Sequence, residues 1–113
     1  MELQWIIAGV ALVAVLYFMW PKSDIDGAAA RKLVENGGRL LDVRTRGEFG
    51  SGHLPGALNI PLQELSRRAA EIGAKDRPVV VYCASGARSR SAAKMLKAAG
   101  FATVHNLGGL HRW

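Results

Sequence analysis

Residues Cys83-Ala84-Ser85-Gly86-Ala87-Arg88-Ser89-Arg90 put a thiol, four small residues and two guanidiniums into one short stretch. The apolar run Pro78-Val79-Val80-Val81-Tyr82 precedes it and a helix-patterned segment follows, so the chain's only cysteine falls where a strand ends and a helix begins. A loop at such a junction turns successive backbone N–H groups into one small bowl, and the helix N-terminus adds partial positive charge. Anions bind in such bowls. A thiol at the rim is driven towards thiolate, its nucleophilic form. Arg88 and Arg90 add full positive charge. The chemistry expected is attack by sulfur on a substrate that carries negative charge.

A lone cysteine is more often a small buried hydrophobe. The flanking residues argue against that here. Ala84, Ser85, Gly86 and Ala87 allow tight curvature and close approach of a ligand to the backbone, and Gly86 can take a positive φ without steric cost. A structural cysteine has no need of such a loop.

The elements that must position this loop follow from pattern. Ser23–Asp26 reads as a short linker and N-cap, and Ala28–Val34 as a helix stopped by Asn36-Gly37-Gly38. Arg39–Val43 is expected to be a buried strand, 44–56 a long loop with a helical turn near Thr45–Phe49, and Ala57–Ile60 a short strand. Pro61 suits a first helical position, and Leu62, Leu65, Ala69 and Ile72 share one helical face. Val79–Tyr82 is a strand. Ala92, Met95, Leu96 and Ala99 form a helical stripe in which Met95 is expected to fill core, Gly100 stops that helix, and Thr103–Asn106 is the last strand. Strands alternating with helices imply a parallel sheet with helices on both faces, with the ligand at the carboxyl ends of the strands.

Three segments, taken together, resemble the rhodanese-like sulfurtransferases. One is Cys-x-x-Gly-x-Arg-Ser after a valine-rich strand. Another is Leu40-Leu41-Asp42-Val43-Arg44-Thr45-Arg46-Gly47-Glu48-Phe49 followed by Gly52-His53-Leu54-Pro55-Gly56-Ala57-Leu58-Asn59-Ile60-Pro61. The third is Gly100-Phe101-Ala102-Thr103-Val104-His105-Asn106-Leu107-Gly108-Gly109. They cover roughly residues 24–113 in the family's order. The resemblance implies a rhodanese-like α/β domain over 22–113. It also implies sulfur transfer through a persulfide on Cys83, from an anionic donor such as thiosulfate to cyanide or a thiol. Family members usually continue beyond Gly-Gly with a helix. Here Leu110–Trp113 follows, and either Trp113 packs the sheet itself or that helix is shortened.

On this reading Cys83 and Arg88 are catalytic. The loop N–H groups from Ala84 through Ser89, with Ser85, Gly86 and Ala87 between, stabilise the terminal sulfur and the leaving sulfonate. Arg88 binds the donor and lowers the thiol pKa, and Ser89 caps the following helix or donates to sulfur. Asp42 and Arg44 resemble positions near the site and read mainly as a loop-bracing ion pair. His53 lies in the second motif and is expected to help hold the loops. A cysteine-dependent phosphatase or arsenate reductase is an alternative. Those enzymes place five residues between Cys and Arg, whereas four stand here. A rhodanese-like module that only binds partners is another, but such modules typically lack the cysteine.

Composition bounds the rest. A chain of 113 residues, half of them apolar, is one domain with ample core. It carries fifteen Lys and Arg against nine Asp and Glu, for a net charge of +6. Beyond Pro21 the balance is fifteen to eight, or +7, which suits anionic small substrates or an anionic membrane surface. The basic residues are scattered without aromatic platforms, so nucleic acid is not expected. A single cysteine forms no internal disulfide, and His53, His105 and His111 lack metal-ligand spacing, so no metal or cofactor is expected.

Trp5–Trp20 contains no charged residue. Residues 3–20 would span about 27 Å as a helix, near the hydrocarbon thickness. Trp5 at one end and Tyr17 and Trp20 at the other suit interfacial belts, and Pro21 ends the helix. Residues 1–21 are therefore expected to form one transmembrane anchor. A buried core helix fits poorly, because the run is apolar all round. A cleaved signal peptide would carry a basic n-region and a small-x-small site, and neither is present. Lys22, Arg31 and Lys32 follow the span and no basic side chain precedes it, which places the catalytic domain in the cytoplasm. A membrane protein could then serve as sulfur acceptor.

Overall fold

Val79–Cys83 is buried at every position, as a strand covered on both faces must be, and its β-branched residues suit that role. It is β3 of a four-stranded, wholly parallel sheet in the order β2-β1-β3-β4, with β1 at Arg39–Asp42, β2 at Leu58–Asn59 and β4 at Val104–Gly109. The computed structural model describes residues 2–19 and 23–113, without the side chains of 17–19. Helix α1 is Glu2–Met19, α2 is Gly27–Glu35, α3 is Arg46–Gly50, α4 is Leu65–Arg68 and α5 is Ala87–Ala98.

Alternation along the strands divides the core between two layers. Val79, Val81 and Cys83 face a cluster with Ile60, Leu65, Ile72, Ala92 and Leu96, on the side of α4 and α5. Val80 and Tyr82 face Ala30, Leu40 and Leu107 on the side of α2, where Trp113 packs against them. Each fully buried Leu, Ile or Val contributes about 1.5–3 kcal/mol. Trp113 thus packs the sheet, reached through a single 3₁₀ turn at Leu110–Arg112. A Cβ at Gly27 would collide with the backbone of Arg112 and Trp113, so glycine there lets α2 start against the last turn.

The chain leaves β1 towards one edge of the sheet and β3 towards the other. The carboxyl ends of β1 and β3 therefore flank the switch point, where open α/β sheets bind ligands. Asp42 ends the first of these strands and Cys83 the second.

Four expectations need correction. Residues 62–72 do not form one helix. They run as a 3₁₀ turn (Leu62–Glu64), the short α4, and a second 3₁₀ turn (Ala69–Ile72), and Gly73 at φ 112° ends the segment. The apolar face is kept, with Leu65 and Ile72 buried. Glu64 Oε1, however, accepts from Arg46 at 2.6 Å, Arg67 at 3.0 Å and Arg68 at 3.2 Å, tying the turn to α3. Met95 does not fill the core; it is 37 % exposed, and Ala92, Ala93 and Leu96 carry the buried face of α5. Ser23–Asp26 is more than a linker. The Asp24 N–H donates to the Asn106 carbonyl at 2.9 Å, and the Asn106 N–H donates to Asp24 Oδ1 at 2.8 Å. Asp26 caps α2 as expected, accepting from the Ala29 N–H at 2.8 Å.

The fourth concerns the expected transmembrane anchor. Among the described residues no helix is long and apolar enough to cross a membrane. Glu2 and Gln4 lie at the start of α1. Its side chains are exposed, Trp5 at 75 % and Val10 at 65 %. The expected belt residue Trp20, the terminator Pro21 and the flanking Lys22 lie outside the described residues, as does the Tyr17 side chain.

Candidate active site

The strand β3 carries Cys83 to the floor of the loop rather than its rim: the side chain is fully buried. Gly86 takes φ 116° at the N-cap of α5, a left-handed conformation that glycine adopts without penalty. The turn folds the chain back over the sulfur. The Gly86 N–H donates to Sγ at 3.0 Å and the Ser89 N–H at 3.4 Å. The thiol donates to Ser89 Oγ at 3.4 Å, and Ser89 Oγ donates to the Gly86 carbonyl at 3.0 Å. Ser89 therefore does not cap α5; it is buried beneath the loop, beside the sulfur. Ala84, Ser85 and Ala87 are exposed and form the outer edge.

These contacts decide the thiol's acidity. Burial pushes the Cys83 thiol up, as the largest single effect. The Ser89 hydroxyl and the N–H groups of Ser89, Gly86 and Ser85 together outweigh it and leave the thiol below its usual value. The neutral groups are the main cause of the lowering, and Arg88 and Cys83 also interact through their charges.

Arg88 is engaged elsewhere. Its Nη1 and Nη2 donate to Glu48 Oε1 at 2.7 Å and Oε2 at 3.0 Å, a bidentate pair across forty residues of sequence. Glu48 also closes a capping box at α3: the Thr45 N–H donates to its Oε1 at 3.1 Å, and Thr45 Oγ1 accepts from the Glu48 N–H at 3.2 Å. The Arg88 guanidinium, followed by the Thr45 N–H, lowers the Glu48 carboxyl to about 2. Arg90 is exposed and makes no ion pair among the described residues. Thr45-x-x-Glu48 is readable in sequence as a capping box; its link to Arg88 is not, because that depends on how β1 and β3 lie side by side.

Asp42 and Arg44 brace the neighbouring strand end. Arg44 Nη2 donates to Asp42 Oδ2 at 2.8 Å, its Nε to both carboxylate oxygens, and its own N–H to Oδ1 at 2.8 Å. Its Nη2 also donates to the Gly52 carbonyl at 2.7 Å, fixing the long loop. Both side chains are buried. Asn59 Nδ2 donates to the Asp42 and Arg44 carbonyls, joining β2 to the same turn. The Tyr82 hydroxyl accepts from the Leu54 N–H at 3.1 Å; burial pushes this phenol up to about 12. His53 stacks on Phe49, ring centroids 3.6 Å apart, and its Nδ1 lies 2.9 Å from the Phe49 carbonyl. These contacts tie it to α3, and it makes no hydrogen bond to Cys83. Among the described residues no group of three or more His, Cys, Asp or Glu is placed to hold a metal ion.

Fold and loop agree with the comparisons. The model of the rhodanese-like domain matches residues 26–113. A protein titled "Sulfurtransferase" from Allochromatium vinosum is 45 % identical over 75 residues, 66 % of this chain and 69 % of that protein. The uncharacterized protein YqhL of Bacillus subtilis is 45 % identical over 76 residues, 66 % of this chain but only 60 % of its own length. Among solved structures, a rhodanese with anions from Escherichia coli superposes with a TM-score of 0.65 at 36 % identity, over 68 % of this chain and 92 % of that one. This chain belongs to the rhodanese-like domain family, and its relatives include named sulfurtransferases.

Proposed function

We propose that this chain is a sulfurtransferase that moves sulfane sulfur from an anionic donor such as thiosulfate to cyanide or a thiol, through a persulfide on Cys83. The observation that carries the reading is a single sulfur, acidified by the neutral donors of Gly86 and Ser89, at the floor of an otherwise small-residue loop. The thiolate attacks the outer sulfur of the donor. The S–S bond of thiosulfate breaks, sulfite leaves with the bonding pair, and the new Sγ–S bond holds the sulfur. The loop N–H groups stabilise the charge that develops. Arg88 stands at the side of the loop as an anchor for donor anions, balanced by Glu48. Relatives titled as thiosulfate sulfurtransferases, such as PspE of Escherichia coli at 39 % identity, support the choice of donor.

The test is intact mass of the purified chain before and after thiosulfate. A gain of one sulfur, lost again on adding cyanide, is the expected result; an unchanged mass sinks the reading. Association with a lipid surface through residues 3–20, with Cys83 on the cytoplasmic side and a membrane protein as one acceptor, belongs to the same proposal. Its support is the exposed apolar surface of α1 and the absence of basic side chains before Lys22. Fractionation with a membrane-impermeant thiol reagent on intact cells tests it. Recovery in the soluble fraction, or labelling of Cys83 from outside, overturns it.

A further inference from the structure

The loop as described binds and activates a sulfur, but it holds no free base. The sulfur is surrounded by donors, Glu48 is committed to Arg88 and Thr45, and His53 packs on Phe49 of α3 rather than on the loop. A thiol acceptor has a proton to lose before it can attack. One group near the loop is free to take it.

Strand β4 runs beside β3, with Gly109 as the register partner of Cys83. After Gly109 the chain turns through Leu110–Arg112, and the turn brings His111 back against that glycine. A Cβ at Gly109 would lie 2.5 Å from both Cε1 and Nδ1 of the His111 ring and 2.7 Å from the Ala84 carbonyl. The imidazole and the first residue of the loop thus flank one small space, which exists because position 109 has no side chain. His111 is exposed, and among the described residues its ring nitrogens make no hydrogen bond.

We infer that His111 is the general base for a thiol acceptor, resting on the persulfide reading above. Its imidazole takes the proton of the incoming thiol. The resulting thiolate attacks the outer sulfur of the Cys83 persulfide. A bond forms between the acceptor sulfur and the outer sulfur, the bond from the outer sulfur to Sγ breaks, and the pair returns to Sγ as the thiolate that Gly86 and Ser89 hold. The proton passes from His111 to solvent. No external oxidant or reductant is needed, since the sulfane sulfur moves from one thiolate to another. Thiosulfate and ionised cyanide bring no proton, so neither needs His111.

The experiment measures two half-reactions of the full chain separately. Cys83 persulfide is formed with thiosulfate and followed by intact mass; it is then discharged with either dithiothreitol at neutral pH or cyanide in alkaline solution, where cyanide is ionised. His111→Ala is expected to form persulfide at the native rate and to discharge to cyanide at the native rate. It is expected to discharge to dithiothreitol on the order of a hundredfold more slowly. Added imidazole should restore the loss, because the space beside Gly109 is then empty. His111→Gln, closer in size, should show the same selective loss without any change in persulfide formation. Equal losses for both acceptors in both variants, or no loss, overturn the inference. Failure of the native chain to gain sulfur at all overturns the persulfide reading itself and is seen in the first step.

Discussion

The carboxyl ends of β1 and β3 lie side by side, yet one holds a neutralised ion pair and the other an acidified thiol. At the end of β1, Asp42 meets Arg44 two residues on, and every oxygen of the carboxylate is taken by the guanidinium or the Arg44 N–H. At the end of β3 the sulfur meets backbone N–H groups and one hydroxyl. The first arrangement neutralises a buried charge with a full counter-charge and leaves no capacity for a ligand. The second lowers a pKa with neutral dipoles and leaves the full charges, Arg88 and Glu48, paired to one side. In one fold position, a side chain two residues away makes a brace, while a glycine turn three residues away makes a nucleophile.

The strongest way to break that comparison is at the sulfur. Cys83→Ser should abolish thiosulfate-dependent sulfur uptake and transfer while leaving the thermal midpoint nearly unchanged; residual turnover beyond background would show that the persulfide lies elsewhere. At the braced end the effect should be reversed in kind. Asp42→Ala strands the Arg44 charge in the interior and should cost about 3–5 kcal/mol of stability, while the folded fraction still takes up sulfur. Denaturant melts paired with intact mass separate the two; an unaffected melt would mean that the ion pair is not a brace.

Ser89→Ala removes the hydroxyl beside the sulfur and keeps the backbone N–H. The thiol should become less acidic, and iodoacetamide alkylation at neutral pH should slow by roughly three- to tenfold, the size of one ordinary intramolecular hydrogen bond. A pH–rate profile that does not move would place acidification on the backbone alone. The smallest effect is expected at Glu48→Gln, which releases Arg88. KM for thiosulfate should fall about two- to threefold with kcat unchanged. The native Glu48 carboxyl, depressed to about 2, contributes stability that is complete above the ordinary value of 4.5 and is lost as pH falls through about 2. A carboxyl NMR titration with its midpoint near 4.5 would contradict the bidentate pair.

What could be read in advance was what is local in sequence. The strand–loop–helix around Cys83, the positive φ of Gly86, the Asp26 cap and the two-layered parallel sheet all follow from short-range pattern and turn chemistry. What escaped depends on contacts between distant segments. Glu48 reaches Arg88 because α3 and the loop after β3 meet at the switch point, and Asp24 reaches Asn106 because the entry to α2 lies along β4. Met95 matched the helical period but lies at the margin of the buried face, where a stripe of four positions does not distinguish core from edge. The strand–helix junction suggested a thiol at a rim; only the fold of Gly86 and Ser89 over it puts it on the floor.

The pairing of Asp24 with Asn106 has a mechanical consequence. A pull that enters the domain at Asp24 is handed by two hydrogen bonds to β4 at Asn106. Three residues further along, the same strand lies beside Cys83. Force that enters at Asp24 therefore runs along the wall of the site and is taken up by the central sheet.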